Sequence, residues 1–372
     1  MIHPYSMNLN WLIREFRHQP FRLDPLLCGL LLGLMLLGLA VLYSASDADI
    51  GTVWRQAVRL GLGVVLMVVA SQITPAWYRR WAPWLYALGL ALLVAVLLFG
   101  VGRGATRWLD LGVIRFQPSE MMKIAVPLML AAWLHKKPLP PGLVDFAVCA
   151  LLIAVPTLLI ASQPDLGTSL LVAAGGGMVL FLSGVRWRWI AAGAATAVAA
   201  APLLWNMLHD YQRNRVLTFI DPESDPLGQG WNIIQSKIAV GTGGLTGRGW
   251  LDSTQSRLEF LPEPHTDFIL SVIAEEFGFI GVAALFTLYA AIVLRAVFLA
   301  SQARDPFGRM LGASLVFLFF VYLLVNAGMI SGVMPVVGVP LPLVSYGGTS
   351  AATLLAGFGI IMSFYSRRKM LK

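Results

Sequence analysis

Four groups of residues in this sequence could do chemistry. The first is Asp267, in the stretch PEPHTDFILSVIAEEFG (262–278), where it opens an apolar run. A carboxylate at a water–lipid boundary suits general base work, taking a proton from an attacking hydroxyl. A carboxylate at a helix N-terminus also meets the helix dipole, and the residues alone leave both readings open. His265 is close enough in sequence to tune it. Ser271 and Glu275 follow at intervals of four, on one helical stripe. A continuous helix would carry Glu275 about 12 Å deeper than Asp267. Glu276 points about a quarter turn away, and at least one of the two glutamates must face the bundle, where an ion pair is its expected role.

The second group is QPSEMMK (117–123). Pro118 and Ser119 suit a helix start. Glu120 and Lys123, three apart, can pair on one face. Such a pair either steadies a helix end or presents Lys123 to an anion with Glu120 orienting it. The third group is basic: Arg103, Arg107, Arg115, Arg213, Arg215, Lys237, Arg248 and Arg257. Lipid head groups explain several of these. Arginines converging beside a carboxylate would suit a pyrophosphate leaving group, because a guanidinium binds phosphate oxygens through two parallel hydrogen bonds. The fourth is MPVVGVPLPLVSYGG (334–348), in which Pro335, Pro340 and Pro342 prevent a regular helix. Irregular backbone at membrane depth must be buried in protein or line a cavity. Ser345 is placed to cap the helix that follows, and Asn326 to hydrogen-bond between helices.

The elements that hold these groups are apolar. Apolar residues make up 58% of the 372 residues and charged residues 12%, against about 25% charged in a soluble domain. The chain therefore reads as an all-α integral membrane bundle forming a single domain over 1–372. A crossing helix needs roughly 20 apolar residues. About ten such runs occur, near 26–43, 53–73, 84–99, 119–134, 144–161, 166–183, 190–208, 268–300, 310–330 and 345–365. Pro164, in SQPDLG, reads as the tight turn between the fifth and sixth. Cys28 and Cys149 lie inside apolar runs and read as core residues. No HExxH, phosphate-binding glycine loop or cysteine–histidine metal spacing occurs. The net charge of +8 lies in short clusters between apolar runs, which is a topology signal and not a nucleic-acid footprint.

Lysine and arginine set the orientation. With ten crossings both ends share a side, and that side collects Arg79, Arg80, Lys136, Lys137, Arg186, Arg188, Arg304, Arg309 and the basic tail 366–372. The N-terminal segment 1–24 and the tail are therefore expected in the cytoplasm, and the long polar loop 209–266 outside. One loop dissents: 102–120 carries Arg103, Arg107 and Arg115 on the outer side, so an anionic partner is expected for them. Within the long loop, WNIIQSKIAV (231–240) places Trp231, Ile234 and Ile238 on one helical face. That suits a short helix on the membrane surface or one packed within the loop.

Four stretches, DPESDPLGQGWNIIQSKIAVGTGGLTGRG, TQSRLEFLPEPHTDFILSVIAEEFG, MPVVGVPLPLVSYGG and RWLDLGVIRFQPSEMMKIAVP, resemble the SEDS family (shape, elongation, division and sporulation), its elongation branch more than its division branch. Pro264 departs from that pattern, which has a charged residue, often arginine, before the histidine. The resemblance implies ten membrane spans in the bacterial inner membrane. It also implies a peptidoglycan glycosyltransferase that polymerises lipid II during elongation. Asp267 falls on the family's essential aspartate, and Glu120 and Lys123 on its glutamate and lysine. A class B penicillin-binding protein as partner and a divalent cation, magnesium or manganese, are implied as well. The rival readings are a lipid II flippase, which needs polar groups at the midplane and on both faces, and a non-catalytic scaffold.

Overall fold

The computed structural model describes residues 22–101, 107–110, 112, 115–207, 213–214, 217–219, 221, 229–253 and 265–366. The N-terminal 1–21, the tail from 367, and Arg103, Arg215, Arg257 and Pro264 lie outside the described residues, as does the side chain of Arg115. The fold is a helical bundle: α1 (Pro25–Ala45), α2 (Ile50–Gln72), α3 (Pro75–Phe99), α4 (Pro118–Leu134), α5 (Leu143–Ala161), α6 (Leu166–Leu182), α7 (Trp187–Met207), α8 (Gln229–Gly243), α9 (Ile269–Ser301), α10 (Pro306–Ile330) and α11 (Thr349–Ser366). Two short strands, β1 (Leu109–Asp110) and β2 (Arg115–Phe116), pair antiparallel between α3 and α4. Among the described residues, seven helices, α1, α2, α3, α5, α9, α10 and α11, are long and apolar enough to cross a membrane, and α6 is a shorter apolar helix.

Local chemistry sets the helix starts. Asp24, Asp49, Thr74, Asp165 and Asp305 each cap a helix with a side-chain oxygen that accepts a backbone N–H of the first turn. Proline occupies the first turn of α1, α3, α4 and α10, where its missing N–H costs nothing. At Asp49 the hydrogen bonds from the Thr52 hydroxyl and the Gly51 amide hold the carboxyl below its usual range.

Side-chain hydrogen bonds then join the helices. Tyr86 donates to Leu152 O (2.9 Å) and Ser314 to Gly175 O (2.7 Å). At one end of the bundle Arg295 grips Asp24 with two bonds of 3.0 and 2.6 Å, and Arg79 meets His135 (2.8 Å) and Asp305 (3.9 Å). The other end gathers Asp165, Asp267, Glu276 and the 331–348 segment.

One expectation changes. The run 268–300 is not one straight helix: Gly278 has φ +63° and ψ −162°, so α9 breaks there. A Cβ on Gly278 would lie 2.4 Å from Gly247 N, so glycine alone fits. Glu275 precedes the break and stays on the same helical segment as Ser271. It lies where Arg248 Nη1 approaches to 4.0 Å and Ser253 donates at 2.6 Å, while Glu276 accepts from Ser44, the residue before the end of α1. Both glutamates are buried, and Glu275 has the expected cationic neighbour.

For α8 the structure bears on the two readings left open. It packs on α9 and α10 through Ile233, Ser236 and Ala239, with Ser236 donating to Ile330 O (3.1 Å). Trp231 and Ile234 are half-buried and Ile238 is exposed, so this face lies beside the contact and not at its centre. Small side chains at Ser236 and Ala239 let the helices approach.

Candidate active site

The site is built on the start of α4. Gln117 flanks the helix, and its amide reaches Asp165 Oδ2 at 3.1 Å instead of capping its own helix. Glu120 sits in the first turn, where a carboxylate meets the helix dipole. One turn on, Lys123 Nζ donates to Glu120 Oε1 at 2.6 Å and also contacts the Tyr322 hydroxyl of α10. All three side chains are buried. The second oxygen of Glu120 has no hydrogen-bond partner among the described residues.

Asp165 gathers the neighbouring groups. As the α6 cap it accepts from Thr168 N (3.2 Å), and Arg107 Nη1 stands 3.9 Å from its Oδ1. Arg107 also donates to Pro164 O (2.7 Å). The anionic partner expected for the dissenting loop is thus Asp165 in the case of Arg107. Arg107, Glu120, Lys123, Asp165 and Tyr322 line a cavity of about 210 Å³, closed opposite by Gly338–Pro340 and Gly347. Ligand clefts usually run to roughly 300–1,000 Å³. This volume is enough for a phosphate-sized group.

Asp267 stands next door. It lies in the turn before α9, half-buried, with its Oδ2 3.5 Å from where a Cβ on Gly338 would sit. Gly338, at φ +74°, is a wall with no side chain between the carboxylate and the cavity. Asn326 Nδ2 donates to the main-chain oxygen of Asp267 (2.9 Å) and to Val339 O (2.8 Å). Tyr346 N donates to His265 O (2.9 Å), and the two rings meet edge-on at 5.9 Å. Arg59 lies over the other face of this group, 4.5 Å from the Tyr346 centroid.

The structure therefore brings Arg107, Glu120 and Lys123 together, with Asp267 beside them. Four other candidates lie elsewhere. Arg213 donates to Trp205 O and Asn206 O (2.9 and 2.8 Å), closing the carbonyls at the end of α7. Arg248 faces Glu275. Lys237 is exposed on α8 and lies over Gly332. Ser345 does not cap α11, which begins at Thr349; its hydroxyl accepts from Leu341 N (2.8 Å) and fixes the proline-rich segment on itself. Asp165, Gln117 and Tyr322 were not singled out by sequence reasoning. The aspartate of SQPDLG and a tyrosine within an apolar helix were the available signals. Among the described residues no group of three His, Cys, Asp or Glu side chains could hold a metal. The divalent cation implied by the resemblance has no protein-only site there.

Comparison with known proteins matches residues 24–370 to the family model FtsW/RodA/SpoVE, described as cell cycle protein. The peptidoglycan glycosyltransferase MrdB of Escherichia coli (strain K12) is 54% identical over 351 residues, covering 94% of this chain and 95% of that one. A probable peptidoglycan glycosyltransferase FtsW of Trichlorobacter lovleyi is 36% identical over 376 residues, 96% and 97% of the two chains. Among solved structures, a chain from a study of how a peptidoglycan synthase complex coordinates polymerization and crosslinking superposes with a TM-score of 0.81 at 35% identity, covering 94% of this chain and 99% of that one. The rod shape determining protein RodA of Thermus thermophilus superposes at 0.71 with 30% identity, covering 94% and 98%. A multi-pass helical membrane bundle with this match along nearly its whole length belongs to the FtsW/RodA/SpoVE family of cell cycle proteins.

Proposed function

We propose that this chain is a peptidoglycan glycosyltransferase that polymerises lipid II, with Asp267 as general base and the Arg107–Lys123 cavity as the anion-binding half of the site. The 4-hydroxyl of the acceptor sugar attacks the anomeric carbon of the lipid-linked donor. Asp267 takes the hydroxyl proton as the new glycosidic bond forms. The bond from the anomeric carbon to the diphosphate oxygen breaks, and the polyprenyl diphosphate leaves with the electron pair. General base catalysis contributes about 10²–10⁴-fold. Cations fixed where charge develops lower the barrier further. Polyprenyl tails stay in lipid between helices, which gives an enzyme of sugars a reason to be a membrane bundle.

One observation carries the reading: a half-buried carboxylate and a cavity lined by Arg107 and Lys123 share Gly338 as their boundary. The base and the leaving-group cations of one displacement need that arrangement. A flippase would need its polar groups at the midplane and on both faces. Here the cavity lies beside Asp267, one turn into α4.

The same reading puts both termini in the cytoplasm of a bacterium, the Asp267 end outside its inner membrane, and a class B penicillin-binding protein beside the chain to cross-link the product. Magnesium or manganese enters it as the substrate's companion. Magnesium is commonly held by one or two carboxylates together with substrate phosphates, and the described residues lack a three-ligand cage.

The test is glycan formation from purified lipid II by the chain with its penicillin-binding partner, as wild type and Asp267→Ala, each checked for folding and complex formation. Polymer from wild type alone supports the reading. Equal polymer from both removes Asp267 from the chemistry. No polymer from either, with lipid II crossing vesicle membranes, selects the flippase.

A further inference from the structure

Asn326 has no exposed surface, yet it carries a primary amide inside a membrane helix. Its Nδ2 spends both hydrogens on main-chain oxygens, those of Asp267 (2.9 Å) and Val339 (2.8 Å). Its Oδ1 is buried with no partner among the described residues. The opposite amide orientation would turn that oxygen onto two carbonyl oxygens, so the hydrogen-bond pattern fixes which end is nitrogen. A buried amide with an idle carbonyl is a poor choice for packing alone. What it achieves is geometric. Asp267 precedes α9, and Val339 lies on the cavity wall next to Gly338. One nitrogen ties the two together.

The tie has a counterpart one turn away. Tyr322, four residues before Asn326 on α10, contacts Lys123. Residues four apart lie on one helical face. A single face of α10 therefore touches Lys123 through Tyr322 and the Asp267 turn through Asn326.

We propose that Asn326 is a positioning residue: by holding the Asp267 main chain against Val339 it sets the distance between the base and the cation-lined cavity. It touches neither substrate nor the Asp267 carboxylate. The proposal rests on Asp267 being the general base. A displacement of about 1 Å away from a productive geometry costs on the order of 100-fold, so the effect belongs in turnover and not in substrate affinity.

The experiment compares wild type, Asn326→Ala, Asn326→Ser and Asp267→Ala, all full chains in complex with the penicillin-binding partner. It measures kcat and KM for lipid II. Folding is followed by thermal unfolding in detergent, and Asn326→Ser, which keeps one short donor, is the variant scored if Asn326→Ala unfolds at the assay temperature. The expected result is a fall in kcat of about 10–100-fold, KM within about twofold of wild type, and Asn326→Ser between Ala and wild type. Unchanged kcat, or a rise in KM alone, overturns the proposal while leaving the general base in place, provided Asp267→Ala is inactive. A fully active Asp267→Ala overturns the base itself.

Discussion

Lys123 and Glu120 form one salt bridge within one turn of α4, 2.6 Å long, with side chains only 3% and 8% exposed. Removing one member of a buried pair leaves a charge without its partner and costs about 3–5 kcal/mol. Glu120→Gln and Lys123→Met should each lower the unfolding midpoint of the detergent-solubilised chain markedly. The double variant should recover much of that loss while remaining unable to polymerise. A double variant as unstable as the sum of the singles would show that the two residues are held independently.

Arg107 bridges Pro164 and Asp165 with its guanidinium at the cavity, whereas Arg213 closes the end of α7. A hydrogen bond to a charged group is worth roughly 1.5–3 kcal/mol, so Arg107→Ala should raise KM for lipid II by about 10–100-fold. Arg213→Ala should leave KM within about twofold. Substrate titrations on the two variants separate them; equal effects would dissolve the distinction between a cavity arginine and a capping one.

Gly278→Ala tests the break in α9. The conformation at this position is open essentially to glycine alone, and a side chain there costs about 1–3 kcal/mol before any clash. The new Cβ would also press on Gly247 N at 2.4 Å. Thermal unfolding should show a loss at or above the top of that range. A stability equal to wild type would mean that α9 straightens without penalty.

Chelation separates a cation held by the chain from one carried by the substrate. EDTA should abolish polymerisation, and added magnesium or manganese should restore it. The unfolding midpoint of the substrate-free chain should not move with millimolar cation, because ligands that bind only the folded state raise it and no three-ligand group is found among the described residues. A cation-dependent midpoint in the absence of lipid II would point to a protein-held site.

Helices were legible in the sequence because lipid leaves a one-dimensional record: long apolar runs, aspartate and threonine caps, proline in the first turn. QPSEMMK was legible as a helix start carrying a close ion pair because the contact is local. Partners far apart in sequence leave no such record. Asp165 meets Gln117 across 48 positions, and Lys123 meets Tyr322 across 199. The second depends on which face of α10 turns inward, and the first on how the starts of α4 and α6 meet, neither of which a run of apolar residues announces. The sequence left open whether α8 lies on the membrane surface or packs within the loop, because its apolar residues occur on more than one face and Ile233, Ser236 and Ala239 make the buried contact. The break at Gly278 was hidden because one glycine in an apolar run is equally compatible with a straight membrane helix.

The wall formed by residues 335–345 has no helix or strand of its own. Its course is fixed from three directions: Gln56 of α2 donates to Ser345 O (3.2 Å), Tyr289 of α9 to Pro342 O (2.6 Å), and Asn326 of α10 to Val339 O (2.8 Å). Such a wall has no ladder or helix of its own to hold it, so its course depends on three helices far apart in sequence. A substitution that shifts any one of them reaches the cavity without touching a residue that lines it.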